Sequence, residues 1–123
     1  MKQHAQRFLK LVEESKQRIN EIAPQTLQEK INHGEPIFVI DVREDHEWLS
    51  GHIPTAIHMS KGIIERDIEK EISSPDAQIV VYCSGGFRCA LVADALQDMG
   101  YHNVYSLESG LQGWINAGFR VEM

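Results

Sequence analysis

Cysteine is scarce in this chain, which has two residues, Cys83 and Cys89, among 123. Two thiols placed so close together cannot build the disulfide framework of a small secreted scaffold. They also lack the paired Cys-x-x-Cys groups of a four-ligand zinc site. The six histidines, His4, His33, His46, His52, His58 and His102, show no metal-ligand spacing either, so no metal is expected. A reduced, reactive thiol is the default for such a chain. Long apolar runs are missing too. The longest, Ile37 to Ile40 and Ile79 to Tyr82, fall far short of the ~20 residues a membrane span needs. The N-terminus, Met1-Lys2-Gln3-His4-Ala5-Gln6-Arg7, opens neither an apolar secretory core nor a small-residue cleavage site, so the expectation is a cytoplasmic protein with no membrane partner. Positive charge is not in excess: 12 Lys and Arg stand against 18 Asp and Glu, a net charge of −6. Nucleic acid, which requires a basic footprint, is not an expected partner.

What is present fits one ordinary globular domain, with 42% hydrophobic and 24% charged residues. The charge is unevenly spread: residues 1–23 carry a net +2, which leaves −8 for residues 24–123. Ala5, Phe8, Leu9, Val12, Ile19, Ile22 and Ala23 recur mostly at three- and four-residue spacing, which predicts an amphipathic helix over residues 4–22 that ends at Pro24. Residues 1–23 therefore read as a helical extension and 24–123 as the main domain. Thr26-Leu27-Gln28-Glu29 has the form of a capping box that opens a short helix, with Gly34 to close it. Ile37 to Val42 and Ile79 to Tyr82 are almost wholly apolar and β-branched, as in strands covered on both faces. Further strands are predicted at residues 56–58 and 104–107, and helices at 44–50, 61–71, 88–99 and 110–117. This alternation predicts an open α/β sheet with helices on both faces, whose ligands bind at the carboxyl ends of the strands.

Cys83 occupies such an end, in a turn that leads to a helix N-terminus. Ser84, Gly85 and Gly86 lack bulk, so the backbone can curl and aim successive N–H groups at one anion. The helix start adds unsatisfied N–H groups and the positive end of its dipole, and Arg88 adds a cation. Together these surroundings lower a cysteine pKa and favour the thiolate. Arg88 is expected either to orient an oxyanion leaving group or to fold inward and brace the loop carbonyls. Cys89 lies at the helix start, where its thiol is a candidate for resolving an oxidised Cys83, although a loop curled around an anion is expected to hold the two sulfurs too far apart for a bridge. Phe87 is expected on the loop rim, where it offers an acceptor an apolar edge. Trp48 and Trp114 are expected as core anchors, and His52 and His58 as supports of nearby turns and strands.

The run Tyr82-Cys83-Ser84-Gly85-Gly86-Phe87-Arg88 resembles the active-site loop of the rhodanese-like family. Asp41-Val42-Arg43-Glu44, Glu47-Trp48, Gly51-His52-Ile53-Pro54 and Ala56 are similar to that family's first signature, and Gly110-Leu111, Trp114 and Ala117-Gly118 to its last. Three positions depart from the pattern: Thr55 and Ser109 stand where glycine is usual, and Cys89 where serine or threonine is usual. The resemblance implies a parallel five-stranded α/β sheet and a structural ion-pair network of Asp41, Arg43 and Glu47. It also implies transfer of sulfane sulfur through a Cys83 persulfide, with Ser84, Gly85, Gly86, Phe87 and Arg88 binding the substrate. The donor would be a small anion such as thiosulfate and the acceptor a thiol or sulfur-carrier protein, with no cofactor. Two other readings fit the residues: a noncatalytic redox-sensing or protein-docking module, and a cysteine-dependent phosphatase or arsenate reductase. Four residues separate Cys83 from Arg88, whereas the phosphatases with a similar loop have five, a wider cradle suited to phosphate.

Overall fold

A computed structural model describes residues 3–123. The elements in chain order are α1 (Gln6–Lys16), β1 (Asn20–Ile22), α2 (Pro24–Asn32), β2 (Phe38–Asp41), α3 (Asp45–Leu49), β3 (Ile57–His58), α4 (Ile64–Glu71), β4 (Ile79–Tyr82), α5 (Arg88–Asp98), β5 (Val104–Leu107) and α6 (Gly110–Asn116). The five strands form one sheet in the order β1-β5-β4-β2-β3, and every pairing is parallel. Alternate side chains on the central strands explain why both strand sequences are apolar throughout. Ile40, Ile79 and Val81 point to one face, where they meet Ile64 and Ile68 of α4 and Val92 and Leu96 of α5. Val39, Val80 and Tyr82 point to the other, against Leu27 of α2 and Leu111 and Trp114 of α6.

The predicted helix over residues 4–22 is shorter in the structure. α1 stops at Lys16, and residues 20–22 form β1, with Asn20 beside Tyr105 and Ile22 beside Leu107. The reason is tertiary. Pairing gives the backbone of residues 20–22 the open edge of β5 as partner and buries Ile22, and a three-residue edge strand has too little pattern to stand out against helical spacing. The end of α1 and the turn after it are tied to α5: Ser15 Oγ donates to Asp94 at 2.9 Å, and the Arg18 guanidinium binds the same carboxylate at 2.6 Å. The capping box at Thr26 is also absent. Pro24 is the first residue of α2 and Ala23 its uncapped N-cap, since a proline at that position loses no hydrogen bond. The capping box present in the structure is at α3, where Glu44 and Glu47 bond reciprocally. Gly34 closes α2 as anticipated: its N–H donates to Ile31 and that of Glu35 to Lys30.

The end of β4 is fixed by the start of α6. The Leu111 and Gln112 N–H groups donate to the carbonyls of Cys83 and Ser84 at 2.8 and 3.0 Å. The approach is so close that a Cβ on Gly110 would overlap the Cys83 carbonyl and lie 2.7 Å from that of Ser84. Only glycine fits there.

Thr55 and Ser109, the two departures from glycine, both have left-handed backbones, with φ of 76° and 60°. A β-branched residue is penalised most in that region. Thr55→Gly is therefore expected to stabilise the fold by about 1 kcal/mol, read as a higher urea midpoint with unchanged slope. A lower midpoint would contradict the strain.

Candidate functional site

The loop from Cys83 to Phe87 joins the C-terminal end of β4 to the first turn of α5. Cys83 is 1% exposed. Its sulfur receives the Gly86 N–H at 3.2 Å and the Cys89 N–H at 3.4 Å. The Cys89 sulfur lies 3.5 Å away, and its thiol is the donor when Cys83 is ionised. Gly86 delivers its N–H through a φ of 93°, and a Cβ there would press against the Ser109 backbone nitrogen at 3.1 Å. The Cys83 pKa is lowered to about 6. The Cys89 thiol contributes most to this shift and the two N–H groups and the Arg88 charge contribute less, while burial opposes them. The Cys89 thiol moves the opposite way, raised well above its ordinary value first by its bond to Cys83 and then by burial. The expectation that the loop would hold the sulfurs apart is corrected: they are in van der Waals contact.

Arg88 does not fold onto the loop carbonyls. Its guanidinium lies against Glu47, with Nη1–Oε1 at 2.8 Å and Nη2–Oε2 at 3.0 Å, and Nη2 also donates to Ser84 Oγ at 3.2 Å. Ser84 Oγ donates in turn to Glu47 at 3.0 Å. Arg88 holds the Glu47 carboxyl at a pKa of about 2 despite its partial burial. Glu47 thus belongs to the loop, not to the Asp41–Arg43 network. That pair is separate and buried: Arg43 clasps Asp41 through Nε and Nη2 and donates to the Gly51 carbonyl at 2.6 Å.

Trp114 is the core anchor expected of it, 2% exposed, with its indole N–H on the Arg120 carbonyl. Trp48 is not in the core. It is only partly buried and stacks with His52 at 3.6 Å and with His58 at 5.1 Å between centroids, while His58 Nε2 lies 2.8 Å from the Arg43 carbonyl.

Cys83, Ser84, Gly85, Phe87 and Arg88 open onto a pocket of about 1060 Å³. Glu44, His46 and Glu47 of the α3 region form one wall, and His4 and Phe8 form another. Phe87 is on the rim, 4.6 Å from the His4 ring and 6.4 Å from that of Phe8. The sequence contains a signal for Glu47 in its first signature but none for His4 or Phe8, which reach the loop only because α1 packs on α5. Among the described residues, no helix is long and apolar enough to cross a membrane.

Comparison with known proteins places these features in a family. The chain is 36% identical over 96 residues to YtwF of Bacillus subtilis, named as a putative sulfurtransferase, and the match covers 78% of this chain and 90% of YtwF. It is 30% identical to the tRNA uridine(34) hydroxylase of Chlamydia abortus, matching 73% of this chain but only 29% of that protein. A Rhodopseudomonas palustris protein of unknown function, named as a possible tyrosine phosphatase, superposes over 99% of both chains with a TM-score of 0.88 and 27% identity. The rhodanese-like domain model matches residues 23–117, and the chain belongs to that family of sulfurtransferase type.

Proposed function

We propose that the protein transfers sulfane sulfur through a persulfide on Cys83, taking it from thiosulfate or another persulfide-type donor and passing it to a thiol or a sulfur-carrier protein. The observation that carries this reading is the convergence of three donors on the Cys83 sulfur at the base of an open pocket, an arrangement that favours its thiolate. A thiolate so formed needs no separate general base. It attacks the outer sulfur of thiosulfate, the sulfur–sulfur bond of the donor breaks, and sulfite leaves with the bonding pair. An acceptor thiolate then attacks the sulfane sulfur and returns Cys83 to the thiolate. The N–H groups of Gly86 and Cys89 stabilise the charge on Cys83 at both ends of the cycle. Arg88 and Ser84 form the polar rim, and Phe87 gives the acceptor an apolar surface beside the reacting sulfur.

Phosphate chemistry is less well supported. Four residues separate Cys83 from Arg88, one fewer than in the phosphatase type, which leaves a narrower cradle than a tetrahedral phosphate fits. Phosphate-ester hydrolysis by the purified protein would reverse this preference.

Mass spectrometry at the earliest times after exposure to thiosulfate should find one added sulfur on Cys83 in the native protein and none in Cys83→Ser. Equal labelling of the two would end the reading. The single-turnover rate should follow the thiolate. With the Cys83 pKa lowered to about 6, the rate is level above neutrality and falls about tenfold per pH unit below that pKa. A rate that still climbs between pH 7 and 9 would show an ordinary thiol. Glu47→Gln removes the carboxylate that neutralises Arg88, so KM for dianionic thiosulfate should fall about tenfold, consistent with loss of one charge a few ångströms away. A raised KM would mean that Glu47 matters by bracing the loop.

A further inference from the structure

Cys89 has chemistry that the two displacements above do not use. It is wholly buried, its sulfur is 3.5 Å from that of Cys83, and the buried Ser106 of β5 donates a hydrogen bond to it at 3.1 Å. The chain has no third thiol. We propose that Cys89 resolves the loaded state: when no external acceptor arrives, it attacks Cys83 Sγ, closes a Cys83–Cys89 disulfide and expels hydrosulfide. This gives the protein a sulfide-releasing activity beside sulfur transfer. The inference rests on Cys83 being the sulfur carrier.

The step balances. The bond between Cys83 Sγ and the sulfane sulfur breaks, and the bond between the two cysteine sulfurs forms. The sulfane sulfur keeps the bonding pair, takes the Cys89 proton and leaves as hydrosulfide. Cys89 sulfur is oxidised and sulfane sulfur is reduced by the same amount. Two equivalents of an external thiol reopen the disulfide by exchange and are themselves oxidised.

Loading itself changes the state of Cys89. While Cys83 carries the charge, Cys89 is its proton donor and is held as a thiol by that bond. Once Cys83 is a persulfide, the charge sits on the terminal sulfur, one atom further from Cys89. The Ser106 hydroxyl, which favours the Cys89 thiolate, is then opposed by less repulsion. The remaining movement is small. A disulfide needs ~2.05 Å between sulfurs, so closure shortens the observed contact by about 1.5 Å. The inner sulfur is also closed to other attackers, because the sulfane sulfur would cover the one side through which the 1% exposed Cys83 meets the pocket.

The test uses the whole chain, reduced, freed of reductant, and given thiosulfate without acceptor under argon. After an alkylating quench, intact mass and released sulfide are measured together. The native protein should pass through the sulfur-loaded form to a species that has lost two hydrogens and takes no alkylating group, with one sulfide released per chain. Cys89→Ser keeps a hydroxyl donor and should load more slowly, then remain loaded with sulfide at background. Cys89→Ala should also release none. In Ser106→Ala the ratio of closure to loading should fall about threefold for each unit by which the Cys89 pKa rises, because lost thiolate outweighs gained nucleophilicity. Native protein that stays loaded and releases no sulfide overturns the resolving role alone. Absence of added sulfur in both native protein and Cys89→Ser, with no sulfide, overturns the sulfurtransferase reading as well.

Discussion

The Cys83 sulfur must hold negative charge where water scarcely reaches it. Burial alone would push its thiol up, so protein donors have to replace the missing hydration. Three of them, the Cys89 thiol and the N–H groups of Gly86 and Cys89, lie within 3.5 Å. Their convergence requires a backbone that turns sharply without a side chain at Gly86, and it requires fixed peptide planes at the start of the loop. α6 supplies the second condition. Its Leu111 and Gln112 N–H groups draw the Cys83 and Ser84 carbonyls toward α6. In trans-planar peptides the N–H groups of Ser84 and Gly85 then point the other way. Gly110 is consequently as much a part of the loop as Gly86, although it lies 27 positions after Cys83 in the chain.

The electrostatics of the rim follow from a different constraint. Apart from its first 23 residues the chain is acidic, with a net −8, and the Arg88 cation is paired with Glu47. The pair orders the loop. Ser84 bridges guanidinium and carboxylate, so three side chains from the α3 region, the loop and α5 are held in one arrangement. The same pairing reduces the attraction for a dianion. Charge at the base of the loop therefore comes from dipoles aimed at sulfur, not from a free cation.

Much of this was legible along the chain. Strands β4 and β5 begin and end where their apolar residues do, and the switch to small residues after Tyr82 marked the loop. What could not be read depends on neighbours remote in sequence. Ile19 and Ile22 fit a helical spacing as well as a short strand, and only the open edge of β5 decides between them. Glu47 and Arg88 are 41 positions apart, so nothing local assigns them to each other over Asp41 and Arg43. Trp48 has the size of a core residue, but its helix runs along the surface, and it stacks on two histidines instead. A loop curled around an anion is expected to hold Cys83 and Cys89 apart, but only its folded path sets their distance. The loop is tight, because Gly86 folds its N–H back onto the sulfur that starts it.

That tightness also determines which sulfur an acceptor can reach. A persulfide has two electrophilic atoms, and attack on the inner one gives a mixed disulfide and sulfide instead of transferred sulfur. Cys83 Sγ is nearly inaccessible from the pocket, but a sulfane sulfur bonded to it extends ~2.05 Å further. External thiols entering past Phe87 and Arg88 would therefore meet the terminal atom first, so that burial of Sγ would favour productive transfer. Cys89 is the exception, since it approaches from inside the fold. The serine or threonine usual at that position would donate the same hydrogen bond without being able to form a bond to sulfur. With a thiol there, the buried inner sulfur of a loaded Cys83 would have one possible attacker, and competition between that thiol and an outside acceptor would decide whether the carried sulfur is delivered or released.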